Sequence, residues 1–304
     1  MKKIVYYFII VIFIFIIPIA GTEIYLRYIG LGKPITYDDN YVFGYSPKPN
    51  QKTDRFDNST ITINDVGLRS VHNWNEYKGL NKIVFYGDSV TYGGSYINDT
   101  ETFSHLVCEN LEIKYICGNA GVNSYGIYNI VYRSRYDLRI ASSNLKVFII
   151  VPDDFYRGLQ NSKTAHFYMN NREFITPALF EAINFLATKY NISNFIAKRK
   201  DTDGEKNIKN LIDESVNLLL SEFERLKKIN NNFLIFYSPG KNKNELDTYI
   251  YEKLFSKSSF EIIDLSDSLE KNMYIDSVHY NKMGHKKISE IISREIKSRV
   301  LKIN

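Results

Sequence analysis

The sequence predicts an α/β fold: a parallel sheet covered by helices on both faces. Two observations carry this. From about residue 81 onward, short apolar runs alternate with amphipathic stretches of helical length. The runs are apolar almost throughout, as strands buried on both faces require. The length of 304 residues is enough for one good-sized domain of this class with a sizeable core, plus an extension.

The elements follow in order. Lys2 and Lys3 precede an uncharged run, Ile4–Thr22, made mostly of Ile, Val, Phe and Tyr. Its length is close to the roughly 20 residues that a helix needs to cross a bilayer. Residues 1–22 are therefore expected to form a retained single-pass transmembrane anchor. Pro18-Ile19-Ala20 lacks the small first residue of a cleavage site. The lysines assign the N-terminus to the cytoplasm and the rest of the chain to the outside. Residues 23–80 read as an extracytoplasmic extension rich in turn formers, with a short strand at Thr60-Ile61-Thr62-Ile63 and a turn at Asn64-Asp65-Val66-Gly67.

The main domain spans 81–304. Strands are expected over about 82–86, 113–117, 147–151, 233–237 and 260–265. Helices are expected over about 102–111, 126–139, 208–229, 245–255 and 286–300. An aromatic-rich insertion at about 155–207, with Phe167, Tyr168, Phe174, Phe180, Phe185, Tyr190 and Phe195, interrupts the rhythm. It begins at the C-terminal edge of a strand, where open α/β sheets bind ligands, and reads as a lid or acceptor-binding subdomain or, equally, as extra core.

The formal charge of +5 is spread out, and runs such as Lys198-Arg199-Lys200 read as solvated faces, so no nucleic-acid partner is expected. Cys108 and Cys117 form neither a CxxC pair nor a metal cluster with His. They are expected as free buried thiols, with a disulfide as the alternative in an oxidising compartment. No metal or organic cofactor is implied. His72, His105, His166 and His285 read as structural or surface residues.

Two short segments carry chemistry. Gly87-Asp88-Ser89-Val90-Thr91-Tyr92-Gly93 follows an apolar strand and precedes a helix. A serine there sits at the C-terminal edge of the sheet, but its hydroxyl is a poor nucleophile without a base. Asp276-Ser277-Val278-His279 lies after the last strand and before the last helix, at the same edge. Its three-residue spacing lets one turn hold the carboxylate against one imidazole nitrogen and leaves the other to face a serine. Ser89 is thus the candidate nucleophile, His279 its base and Asp276 the orienter.

A strand followed by Gly-Asp-Ser, with Asp-x-x-His before the final helix, resembles the SGNH (GDSL-like) hydrolase and acyltransferase superfamily over about residues 81–304. The upstream segments Glu23-Ile24-Tyr25-Leu26-Arg27 and Asn64–Arg69 resemble its membrane-anchored bacterial members. The resemblance implies a flavodoxin-like three-layer α/β/α sandwich with a five-stranded parallel sheet. It also implies a serine esterase or O-acyltransferase working through an acyl-serine.

Asn119-Ala120-Gly121-Val122-Asn123-Ser124 looks like the family's second block, with Ser124 where a glycine is usual. Gly121 and Ser124 are therefore candidate oxyanion or binding residues, Ser124 through its backbone N–H. The third block usually ends in Asn-Asp, and here it reads Pro152-Asp153-Asp154. Asp153 stands where an amide would donate to the oxyanion, which an ionised carboxylate would repel. Three accounts are weighed: Asp153 protonated by burial beside Asp154, turned away, or ionised and binding an acceptor. The first two together are favoured. The expected substrate is an ester or an acylated cell-envelope glycan. The alternative is a catalytically poor glycan-binding protein in an envelope-modification complex. Protein partners are not indicated.

Overall fold

In a computed structural model, the chain is described over residues 2–77, 79–111, 115–161, 177–189, 204–242 and 244–300. Helix α1 (Lys2–Val11) passes into a π-helical segment, Ile12–Ile16, and then into α2 (Ile17–Tyr28). Among the described residues no helix is long and apolar enough to cross a membrane. The expected single transmembrane α-helix is thereby corrected: the hydrogen-bond register changes at Ile12–Ile16, and neither flanking helix exceeds 12 residues. Ile4, Tyr6, Tyr7, Phe13, Ile14 and Phe15 on this run are exposed.

Residues 37–63 form two antiparallel pairs, β1 (Tyr37–Asn40) with β2 (Gly44–Pro47) and β3 (Gln51–Asp54) with β4 (Thr60–Ile63). Only β4 is legible as alternation, with Ile61 and Ile63 buried and Thr60 and Thr62 half-buried. The following turn is built as expected: Asn64 Oδ1 accepts from the N–H groups of Val66 (3.1 Å) and Leu68 (3.0 Å).

The central sheet consists of β5 (Asn81–Tyr86), β6 (Tyr115–Asn119), β7 (Leu145–Ile150), β8 (Asn232–Tyr237) and β9 (Ile263–Asp264). The strands are all parallel, in the order β6-β5-β7-β8-β9. The order reverses between β5 and β7, which makes their C-terminal ends the place for a binding crevice. Strand side chains alternate between two cores. Val84, Tyr86, Phe148, Ile150, Ile235 and Tyr237 face one side, with residues of α5 (Ile127–Tyr136), α7 (Gly204–Lys228) and α8 (Glu245–Lys257). Ile83, Phe85, Val147, Ile149, Leu234 and Phe236 face the other, with residues of α4 (Phe103–Asn110) and α9 (Lys282–Arg299). The result is a three-layer α/β/α arrangement. Each such buried side chain contributes about 1.5–3 kcal/mol.

Cys108 and Cys117 are joined in a disulfide, with Cα atoms 5.8 Å apart, which corrects the expected free thiols. The bond ties the C-terminal turn of α4 to β6, a juxtaposition that only the packed fold creates. The outer side of β6 is also covered. The backbone N–H and carbonyl of Asn119 pair with Arg69 (3.2 and 2.9 Å), and Ser70 Oγ donates to the Cys117 carbonyl (3.0 Å).

Of the aromatic insertion, Phe167, Tyr168, Phe174, Tyr190 and Phe195 lie outside the described residues, as does the side chain of Phe185. Its described part is α6 (Ala178–Lys189). Glu23 of α2 accepts from the first two N–H groups of α6, those of Ala178 and Leu179, at 2.9 Å each. A carboxylate placed there satisfies orphan donors and complements the helix dipole. Glu181 of α6 is buried against Arg55.

Candidate active site

The serine turn is fixed by sterics and a cap. At Gly87 a Cβ would come within 2.0 Å of Thr91 Oγ1 and 2.6 Å of the Ile149 carbonyl oxygen, so no larger residue fits between β5 and β7. Asp88 caps the short helix α3 (Ser89–Tyr92): its Oδ1 accepts from the N–H of Val90 at 2.9 Å. Ser89 is thereby delivered at the C-terminal end of β5.

The downstream turn is organised by one carboxylate. Asp276 Oδ1 accepts from the N–H groups of Val278 (2.9 Å) and His279 (2.8 Å), and its Oδ2 lies 2.7 Å from His279 Nδ1. On the other side of the ring, His279 Nε2 lies 2.8 Å from Ser89 Oγ. With Nδ1–H donating to Asp276, Nε2 presents its lone pair to the serine hydroxyl. The three residues expected to act together thus form one hydrogen-bonded chain across a sequence gap of 190 residues.

The electrostatics follow from this pairing. Burial opposes the charged form of His279, but the hydrogen bond and charge of Asp276 outweigh it, so the imidazole pKa is raised above its ordinary 6.5. Asp88 adds to the rise and Arg157 works against it. Burial likewise opposes the charge of Asp276, yet its hydrogen bonds from His279 and Val278 lower it to about 2. His285 is fully buried, and this pushes its pKa down to about 3. Its Nδ1 accepts from the N–H of Phe103 at 3.1 Å. It is a structural histidine, as are His72 and His105, which pack against one another. His166 lies outside the described residues.

The second loop differs in detail from expectation. At Gly121 a Cβ would meet the backbone N of Tyr92 at 2.4 Å, so the loop packs directly on the serine helix. The Gly121 N–H is already taken by Asn119 Oδ1 at 2.9 Å, which corrects its expected oxyanion role to one of shape. Ser124 has φ +66°, in the left-handed region where a non-glycine residue is strained, by about 1–2 kcal/mol. Among the described residues, no backbone acceptor is paired with the N–H of Ser124 or of Ser89.

The third loop corrects the reading of the aspartates. The buried carboxyl is that of Asp154, not Asp153. Burial and the nearby charge of Asp88 raise the Asp154 pKa, and its Oδ2 accepts from the N–H of Val151 at 3.0 Å. Asp154 is therefore interior and contributes no binding surface. Asp153 is part-exposed, with Oδ1 accepting from the Tyr156 hydroxyl and Oδ2 from Arg157 Nη2 at 3.1 Å. Of the three accounts, the one that takes Asp153 as a buried carboxyl does not match its part exposure.

Arg157 was not singled out from the sequence. Its Nη1 donates to Asp88 Oδ2 (2.8 Å), to the Tyr125 carbonyl (2.9 Å) and to Asp154 Oδ1 (3.3 Å). The available signal was its spacing of three and four residues from Asp154 and Asp153. Among the described residues no group of three or more His, Cys, Asp or Glu could hold a metal ion.

The chain is similar to several solved structures. The acetyl xylan esterase AlAXEase shares 17% identity at a TM-score of 0.44, covering 71% of this chain and 99% of that one. A lipase/acylhydrolase from Enterococcus faecalis shares 15% at a TM-score of 0.41, covering 72% and 97%. A catalytic mutant of Axe2, an acetylxylan esterase from Geobacillus stearothermophilus, shares 14% at a TM-score of 0.45, covering 71% and 94%. No protein-family model and no curated protein matches the chain. The chemistry is accordingly read from this chain's own residues.

Proposed function

We propose that this chain is a serine esterase or O-acyltransferase of the SGNH kind, acting through a covalent acyl-Ser89. The single observation that carries the reading is the chain Ser89–His279–Asp276, closed by contacts of 2.8 and 2.7 Å. His279 Nε2 takes the serine proton as Oγ attacks the ester carbonyl. The N–H groups of Ser89 and Ser124 meet the resulting oxyanion, each donor being worth about 3 kcal/mol. The imidazolium then gives its proton to the departing alcohol. Water, or a hydroxyl of an acceptor, enters by the same route in reverse and releases the acyl group. Asp276 holds the tautomer and supports the imidazolium throughout.

The test is labelling by a fluorophosphonate probe, which phosphonylates an activated serine. The wild-type chain is expected to label and Ser89→Ala is not. Absence of label on folded wild-type protein would favour the glycan-binding reading instead.

We further infer that the substrate is an O-acylated carbohydrate of the cell envelope and that the catalytic domain lies outside the cytoplasm. Support comes from the Cys108–Cys117 disulfide, which suits an oxidising compartment, and from the exposed apolar residues of the N-terminal helical run. In this reading the apolar run Ile4–Thr22 holds the protein at the membrane. The protein should remain in the membrane fraction with its N-terminus intact. Recovery of a soluble form beginning after Ala20, identified by N-terminal sequencing, would overturn the attachment.

A further inference from the structure

We propose that Arg157 is the positioning residue of this site, holding together around one guanidinium the three loops that follow β5, β6 and β7. This rests on the acyl-Ser89 reading. The geometry is specific. From the loop after β5 comes Asp88 Oδ2, at 2.8 Å from Nη1. From the loop after β6 comes the carbonyl of Tyr125, the neighbour of Ser124, at 2.9 Å. From the turn after β7 come Asp154 Oδ1 at 3.3 Å and Asp153 Oδ2 at 3.1 Å, the latter from Nη2. A guanidinium presents several donors in a fixed fork, which suits it to join acceptors from separate segments. These are also the loops that bear the nucleophile, the proposed second oxyanion donor and the departure at Asp153.

A second consequence concerns the nucleophile. Ser89 Oγ lies 3.5 Å from Asp88 Oδ2 and 2.8 Å from His279 Nε2. Asp88 Oδ2 is therefore a rival acceptor for the serine proton. It is the same oxygen that Arg157 engages at 2.8 Å. A carboxylate oxygen already satisfied by a guanidinium competes weakly for a hydroxyl, so Arg157 leaves the serine O–H to the base. Without Arg157, Asp88 would keep its capping bond through Oδ1 but present an unpaired anionic oxygen beside the nucleophile.

The experiment compares wild type, Arg157→Ala, Asp88→Asn and the double variant on a small activated ester, with thermal midpoints measured in parallel. Arg157→Ala is expected to lower kcat by about 10²-fold, the scale of a misplaced reacting group, while KM changes little. Its ascending pH limb should move to higher pH, because a cation that opposes protonation of His279 is gone while Asp88 and Asp276 still face the ring. Adding Asp88→Asn removes the rival carboxylate and keeps a capping side chain. The double variant is expected to regain about tenfold in kcat and to bring the limb back down.

A merely structural role would lower the thermal midpoint and kcat together, and Asp88→Asn would restore nothing. That pattern overturns the proposal, as does an Arg157→Ala protein with near-wild-type kcat. Should Arg157→Ala not fold, Arg157→Lys substitutes a single ammonium that cannot span the three loops. A folded Lys variant with wild-type kcat also overturns it. Failure of wild type to label with fluorophosphonate sinks the acyl-serine reading and this proposal together. A wild type that labels, beside an indifferent Arg157→Ala, sinks the positioning role alone.

Discussion

Ser89→Ala and His279→Ala will each lower turnover of an activated ester by about 10⁶-fold, to the level left by binding and the oxyanion donors. The size follows from the closed contact between them: at 2.8 Å the imidazole is the serine's proton acceptor, and the other acceptor described for the serine hydroxyl, Asp88 Oδ2, lies farther off at 3.5 Å. His285, the histidine nearest in sequence, is fully buried with its pKa pushed down, so it cannot take over. Because the residues act as one unit, the double variant should lose no more than a further few-fold beyond either single one. Steady-state kcat of the two single variants and the double one, with circular dichroism to confirm folding, measures this. A His279→Ala enzyme with near-normal kcat would show that another group is the base. Fully additive losses would show that the two do not work together.

The second large effect belongs to Asp276. In wild type, kcat/KM should rise with pH through a limb above the ordinary histidine value of 6.5, since only neutral His279 accepts the serine proton and its pKa is raised. The sign for the variant is set by what remains. Asp276→Ala removes the hydrogen bond and the charge that favour the imidazolium and leaves burial, which opposes it. The limb should therefore move to lower pH, while kcat on its plateau falls by about 10⁴-fold, less than for the other two. Loss of the hydrogen bond also frees the ring to adopt the other tautomer, with Nε2 protonated and useless as a base. A pH–rate profile on a small activated ester separates the two effects. A limb that stays in place or rises would show that Asp276 does not set the His279 pKa.

Much of this architecture is legible in the sequence, for local reasons. The strands at 82–86, 147–151 and 233–237 are apolar because both faces are covered, and Gly87 and Gly121 stand where backbone or side-chain atoms leave no room for a Cβ. The pairing of Asp276 with His279 is local as well, set by a three-residue turn. What the sequence hides is convergence. Arg157 joins Asp88, 69 residues away, because β5 and β7 are neighbours in the sheet. The disulfide depends on how α4 returns to β6. Which of two adjacent aspartates is interior depends on a one-residue difference in direction: Asp154 turns toward the N–H of Val151, Asp153 toward Tyr156. The strand expected over 260–265 pairs only at Ile263–Asp264, a contact set by its neighbour β8 rather than by local apolarity. At the N-terminus, composition reads as one long span, whereas hydrogen-bond register divides it at Ile12–Ile16.

The two rims of the central sheet are finished in different ways. At one, the backbone groups of Asn119 are taken by Arg69 and the carbonyl of Cys117 by Ser70. At the other, β9 contributes only Ile263 and Asp264. A sheet bounded like this offers little ladder for a visiting strand to extend. Recognition of a polymer substrate, or of any companion in a larger assembly, would then fall to side chains at the C-terminal ends of β5 and β7 or on helical faces. Its selectivity would lie in ring stacking, hydroxyl hydrogen bonds and charge, and selection among partners would be tuned by surface substitution without disturbing the order of the strands beneath.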